Sequence, residues 1–217
     1  MLIAERMSHP VITIHADTPI QEALSLMRRE RIRRLPVVDR SGKLIGIVSE
    51  KDLLNASPSS ATSLSVWEVN YLISKILVEE VMVRDVITVA EDTPVEEAAR
   101  IMTDHRIGGL PVMRDGELVG MITETDLFKL FLELLGAREA GVRVSALIPN
   151  RRGELAKVAS AVRDAGGNII AVVTFLGESA ENRQLTLKVE GIDPKAVRHA
   201  VEPVVERIVD LRETKIG

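Results

Sequence analysis

The 217-residue chain contains no cysteine, which excludes disulfides and thiolate zinc sites. Aromatic residues are almost as scarce, with one Trp, one Tyr and three Phe. The core must therefore be aliphatic, built from Ile, Leu, Val and Met. No run reaches the roughly 18 apolar residues needed to span a bilayer. The opening MLIAERMSHP also lacks the apolar stretch and cleavage site of a signal peptide. Neither sign of charge prevails: the net charge is -4 with both signs mixed, so there is no broad basic field for nucleic acid. With 46% hydrophobic and 28% charged residues, the expectation is a globular cytoplasmic protein with no nucleic-acid or membrane partner. It has room for one large domain or two ordinary ones.

Catalytic signatures are missing too. His9, His15, His105 and His199 show no metal-ligand spacing, and there is no GxSxG, Walker loop or HExxH. His105 precedes Arg106 in a helix-to-strand turn and reads as a surface residue. No catalytic residue and no metal site is expected.

What the chain does have is a repeat. MSHPVITIHADTPIQEALSLMRRERIRRLPVV begins at Met7, and VMVRDVITVAEDTPVEEAARIMTDHRIGGLPVM follows the same pattern from Val81. Met7 aligns with Met82, Thr18-Pro19 with Thr93-Pro94 and Leu35-Pro36-Val37 with Leu110-Pro111-Val112, each 75 positions apart. After a one-residue deletion the offset becomes 74, and GIVSEKDLL at 46–54 aligns with GMITETDLF at 120–128. A duplicated unit that cannot bury its own apolar faces packs against its copy, leaving clefts related by a pseudo-twofold.

Each repeat predicts strand, helix, strand, strand, helix. Residues 11–14 alternate as a half-buried strand does. Asp17-Thr18-Pro19 supplies an N-cap and a first-turn proline, and Ile20, Ala23, Leu24 and Met27 give the helix an apolar face. Residues 35–38 and 44–48 are short strands around the turn Asp39-Arg40-Ser41-Gly42. Ser49 then caps a second helix. Between the copies, residues 55–65 predict a loop. Val66, Val69, Ile73 and Ile76 next form a helical stripe near Trp67 and Tyr71, either docked on the second repeat or placed at a subunit contact. A third unit follows residue 140: a strand at 142–148, the loop Asn150-Arg151-Arg152-Gly153, a helix at 154–165 ended by Gly166-Gly167-Asn168, strands at 169–176 and 185–189, a helix opened by Asp193-Pro194 and a closing strand at 208–211. This βαββαβ order is that of a ferredoxin-like sandwich.

The DTP helix starts, the LPV strands and the endings GIVSEKD and GMITETD together resemble a tandem pair of cystathionine-β-synthase (CBS) domains. IPNRRGELAKVASAVRDAGGNI resembles the start of an ACT domain, a small ligand-sensing module, although Asn150 stands where such loops commonly carry Asp. The whole arrangement is similar to the acetoin-utilisation accessory protein (AcuB-like) family. The resemblance implies an α/β (α+β) fold with two CBS repeats, 1–62 and 63–135, and an ACT domain at 140–214.

It also implies non-catalytic regulation by an adenine nucleotide (AMP, ADP, ATP or S-adenosylmethionine), a homodimer and a metabolic-enzyme target. The alternative is a ligand-free dimerisation or interaction scaffold. The carboxylates of Asp52 and Asp126 can each accept two hydrogen bonds from a ribose diol, with Ser49 and Thr123 one helical turn earlier. By analogy with CBS pairs, Ser49, Lys51 and Asp52 face Thr93, Ala98, Ile107 and Gly108. Thr123, Thr125 and Asp126 face Thr18, Ala23, Ile32 and Arg33. Arg34 precedes Leu-Pro-Val where nucleotide-binding members often carry phosphate charge, and its counterpart is Gly109. The Asp52 cleft with Arg34 and Lys51 is thus the expected phosphate site, and the Asp126 cleft is expected to bind weakly or to take a less charged adenosine compound. Arg28, Arg29 and Arg31 read as a solvated face. A small metabolite at the ACT domain would meet Asn150, Arg151, Arg152, Gly153, Asn168 and Ile169.

Overall fold

Ile20, Ala23, Leu24 and Met27 form the buried face of helix α1 (Ile20–Glu30) in the computed structural model, which describes residues 1–56 and 75–215. Enclosing side chains of this size stabilises by about 1.5–3 kcal/mol each for the larger ones. Around α1 the first repeat builds β1 (Ile14–His15), β2 (Arg34–Val38), β3 (Leu44–Ser49) and α2 (Glu50–Asn55). β1 runs parallel to β2, and β2 antiparallel to β3. After a single turn, α3 (Val78–Val81), the second repeat gives β4 (Val89–Ala90), α4 (Val95–His105), β5 (Gly109–Arg114), β6 (Glu117–Thr123) and α5 (Glu124–Leu134), with the same sheet order. The correspondence reaches backbone angles: α1 and α4 both end on a left-handed arginine, Arg31 at φ 55 and Arg106 at φ 54.

Two local expectations are corrected. The first strand is Ile14–His15 rather than 11–14, because the chain before it pairs with the other repeat: Ser8 forms a bridge with Met121. Asp17 and Thr18 do not cap α1. Pro19 is the N-cap, with no side-chain hydrogen bond, so the first-turn N–H groups need acceptors from elsewhere. Ile20 N donates to Ile76 O, and Val95 N at the start of α4 donates to Met1 O.

These bonds belong to an exchange of lead-in segments. The chain ahead of repeat 1 completes repeat 2, with Ile3 N donating to Thr93 O and Met7 lying over Gly120. The chain ahead of repeat 2 completes repeat 1. Val78 N donates to Thr18 O, Ile47 and Val83 exchange both backbone bonds, and Met82 lies over Gly46. Each repeat therefore carries a face that the other copy's lead-in covers. The expected loop and the stripe with Val66, Trp67, Val69, Tyr71 and Ile73 fall outside the described residues from residue 57 onward.

Contacts divide the chain into residues 1–127 and 128–217. The second unit is β7 (Gly141–Pro149), α6 (Glu154–Asp164), β8 (Asn168–Leu176), β9 (Asn182–Glu190), α7 (Pro194–Val201) and β10 (Arg207–Thr214), in the sheet order β10-β7-β9-β8. This is the expected ferredoxin-like fold, and Asp193 caps α7 by accepting from Ala196 N at 2.8 Å. Val158, Val162, Val197 and Val201 bury the helices against Val144, Leu185 and Leu187 of the sheet. Other buried sheet residues are polar. Ser145 and Thr186 share a 2.7 Å hydrogen bond, and buried Lys188 donates to the carbonyls of Gly136 and Glu139. No described helix is long and apolar enough to cross a membrane.

Candidate functional site

Ser49 closes β3 and caps α2, which places Asp52 one turn into the helix. Ser49 Oγ and Ser49 N both donate to Asp52 Oδ2, at 2.6 and 2.9 Å, and Asp52 N donates back to Ser49 Oγ at 3.3 Å. The capping box thus fixes the carboxylate and occupies one of its oxygens. The other oxygen, Oδ1, faces a diol with two lone pairs to accept from it. The second repeat copies the device: Thr123 Oγ1 and N donate to Asp126 Oδ2 at 2.7 and 3.0 Å. Asp126 is only 8% exposed.

Asp52 opens on a cavity of about 550 Å³ lined from three stretches of chain. Ile47 comes from repeat 1, Val83, Val86 and Ile87 from the lead-in to repeat 2, and Ile107 from repeat 2 itself; together they make an aliphatic wall. Arg33, Arg34, Lys51 and Arg106 bring four positive charges, against Glu50, Asp52 and Asp85. Arg34 is the most enclosed of the cations the sequence singles out. Burial lowers its pKa from the usual value. Glu124 opposes that shift, Arg33 adds to it, and Asp52 opposes it again. Its guanidinium crosses to repeat 2 and lies over Gly108, 3.9 Å from Glu124 Oε2. That separation is an ion pair but not a hydrogen bond.

Of the residues expected at this cleft, Ser49, Lys51, Asp52, Arg34, Ile107 and Gly108 line one cavity. Thr93 and Ala98 are not in its wall. Ala98 is fully enclosed on the buried face of α4, and Thr93 uses its carbonyl to hold Ile3. Arg33, expected opposite Asp126, lines the Asp52 cavity instead, since it is chain neighbour to Arg34 at the start of β2. Ala23 has no exposed surface, and Ile32 packs on the repeat-1 core. Thr18 gives its carbonyl to Val78, while Thr125 is exposed on α5. Neither Ala23 nor Ala98 can touch a ligand without movement of its core.

Val83, Asp85, Val86, Ile87, Ile47, Glu50, Arg106 and Gly109 also line the cavity, and the sequence does not point to them. The first four lie between the Met82 of the repeat alignment and β4; Val86 and Ile87 open the copy of the strand expected at 11–14, but the strand itself is only Val89–Ala90, which leaves them free to face the cavity. Arg106 carried a usable signal, because it occupies the position equivalent to Arg31, the left-handed residue ending α1.

In the C-terminal unit the expected ligand residues do not converge within one chain. Pro149 pairs with Asn182 and Asn168 with Glu190, the two ends of β9. At about 3.3 Å per residue, eight steps put the Asn150 loop roughly 26 Å from Asn168. Their polar groups are also engaged. Asn150 Nδ2 donates to Ala180 O at 2.9 Å, and Asn168 Nδ2 to Glu190 Oε1 at 2.7 Å. Arg151 and Lys157 both donate to Glu154 Oε1, which Lys157 first and Arg151 second hold below the usual glutamate range. Arg152 is exposed, Gly153 is the N-cap of α6 at φ 87, and Ile169 packs on the core.

The CBS domain model matches residues 3–59 and 78–133, more than half of the chain. The chain belongs to the CBS-domain family. Its C-terminal unit matches a TTHA0829-like ACT domain over residues 140–212. This CBS protein is 35% identical to a CBS domain-containing protein of Dictyostelium discoideum, over 62% of the chain and 94% of that protein. It is also 35% identical to the L-aspartate semialdehyde sulfurtransferase of Methanocaldococcus jannaschii, but spans only 23% of that enzyme. Among solved structures it resembles a Vibrio cholerae protein assigned to acetoin utilization (AcuB), with 34% identity, TM-score 0.53, and coverage of 64% of this chain and 96% of the other. It equally resembles the CBS pair of protein MJ0100 in complex with 5′-methylthioadenosine and S-adenosyl-L-methionine, with 35% identity, TM-score 0.51 and coverage of 60% and 95%. CBSX2 in complex with AMP matches at 29% identity and TM-score 0.51, over 61% and 97%.

Proposed function

We propose that this CBS–ACT protein is a non-catalytic regulator that senses an adenine nucleotide in the Asp52 cleft. The observation that carries this reading is one cavity holding all three elements a nucleotide needs. Asp52, fixed by Ser49, offers Oδ1 to the ribose diol. The aliphatic wall of Ile47, Val83, Val86, Ile87 and Ile107 suits the base, and Arg33, Arg34, Lys51 and Arg106 suit phosphate. The AMP, 5′-methylthioadenosine and S-adenosyl-L-methionine complexes of the relatives support an adenosine compound as ligand. Lead-in, repeat 1 and repeat 2 all contribute to the wall, so a ligand bridging them favours one arrangement of the repeats, which is the basis of a signal.

The reading assigns the protein to the cytoplasm, as a homodimer acting on a metabolic enzyme. The engaged side chains of Asn150 and Asn168 favour the ACT domain as a contact module rather than a second metabolite site.

Thermal unfolding with AMP, ADP, ATP, S-adenosylmethionine and 5′-methylthioadenosine tests the proposal. A ligand at 100 times its dissociation constant adds about 2.7 kcal/mol to folded-state stability. A raised midpoint with at least one of them, abolished in Asp52→Ala, is the expected result. No shift with any compound overturns it in favour of an interaction scaffold.

A further inference from the structure

Arg34 and Gly108 occupy neighbouring steps of the repeat alignment: Arg33-Arg34 in the first copy stands where Gly108-Gly109 stands in the second. The structure uses this inequality. A Cβ at Gly108 would fall 1.9 Å from Arg34 Nη2 and 2.5 Å from Glu124 Oε2, and one at Gly109 would fall 3.3 Å from Arg34 Cδ. The arginine of one copy therefore fills the space that the glycines of the other leave open. At the end of its reach stands Glu124, the first residue of α5, between Thr123 and Asp126.

Glu124 and the cleft compete for the same cation. Arg34 lines the Asp52 cavity, yet among the described residues its ion-pair partner is Glu124, at 3.9 Å. The pair is loose, and its members differ in solvation: the Arg34 side chain is 23% exposed and that of Glu124 53%. A half-buried guanidinium with a distant, well-hydrated carboxylate is incompletely compensated for its loss of water. A phosphate or carboxylate inside the cleft can form the shorter, bidentate contact that Glu124 does not.

We propose that Glu124 is a specificity-determining residue that stands in for the ligand's anionic group. It holds Arg34 across Gly108 when the cleft is empty and yields it when an anionic adenosine compound binds. This inference rests on the nucleotide reading of the cleft and adds to it a selectivity between anionic and uncharged adenosine compounds. Neutralising Glu124 removes the competitor and so strengthens binding of the anionic class only. An adenosine compound without an anionic group gains nothing, because it never takes Arg34 away.

The test is calorimetric titration of the full chain with AMP and with 5′-methylthioadenosine, in wild type, Glu124→Gln, Arg34→Met and the double variant. Glu124 is exposed at a helix start, so glutamine keeps its volume and the fold, which the ligand-free unfolding midpoint checks. We expect Glu124→Gln to bind AMP about fivefold to tenfold more tightly with 5′-methylthioadenosine unchanged, and the gain to vanish when Arg34 is already Met. Equal gains for both ligands, no gain for AMP, or a gain that persists without Arg34 would overturn the exchange. Failure of the parent reading looks different: neither compound binds the wild type, and the exchange falls with it.

Discussion

Arg34 lies so close over Gly108 that even an alanine methyl would meet its guanidinium. The three atoms in the way, two of Arg34 and one of Glu124, are ends of flexible side chains, so Gly108→Ala displaces the Arg34 guanidinium rather than the backbone. We expect stability within about 0.5 kcal/mol of wild type. AMP affinity should fall about tenfold, equivalent to roughly 1.4 kcal/mol, while 5′-methylthioadenosine binding is retained. Titration of the two ligands checks this, and parallel losses would show that the methyl disturbs the whole cleft. Ser49 and Asp52 show what a residue can reveal in advance. Their hydrogen bonds span three positions, so the Ser-x-x-Asp spacing announces them. Arg34 over Gly108 spans 74 positions, and no local pattern encodes it.

Helices α1 and α4 were legible because their apolar spacing is periodic and the same pattern occurs twice. Their starts were not, since Pro19 and Pro94 leave first-turn N–H groups to carbonyls from Ile76 and Met1. The exchanged lead-ins that supply those carbonyls depend on two glycines. A Cβ at Gly46 would lie 2.6 Å from Met82 Sδ and 3.1 Å from Val83 O, and one at Gly120 2.5 Å from Met7 Sδ and 3.2 Å from Ser8 O. Methionine can yield, but the backbone oxygens are held in bridges. Gly46→Val and Gly120→Val should each destabilise by about 1–3 kcal/mol, read as a lower urea midpoint. Their effects on binding should differ. Gly46→Val displaces Val83 and the wall beside it and weakens AMP binding, whereas Gly120→Val acts on a segment outside that wall. Equal effects on AMP would remove the lead-in from the site.

For the whole molecule, two units with separate contacts each carry an aliphatic core. A ligand confined to the Asp52 cleft stabilises the unit that binds it. Scanning calorimetry is expected to resolve two transitions, of which AMP raises only the one belonging to residues 1–127. A single transition that moves as a whole would show that the two units unfold cooperatively. The domain order was plain from the sequence, because duplication and the βαββαβ pattern extend over tens of residues. The expected ACT ligand set failed at this scale. Asn150 and Asn168 flank the same helix in sequence, yet β7 and β8 both run antiparallel to β9, so the crossover between them sends the two residues to opposite ends of the sheet.

The duplication, the aliphatic cores and the Ser/Thr-x-x-Asp pairs that present Asp52 and Asp126 are readable from residue order alone. Each of these depends on neighbours a few residues apart or on a pattern repeated at a fixed offset. Which lead-in covers which repeat, the wall that Val83, Val86 and Ile87 give the Asp52 cleft, and the reach of Arg34 over Gly108 towards Glu124 emerge in the folded chain alone. Those choices follow from long-range packing, where side chains far apart in the chain compete to fill one space, and nothing in the local order of residues names the winner.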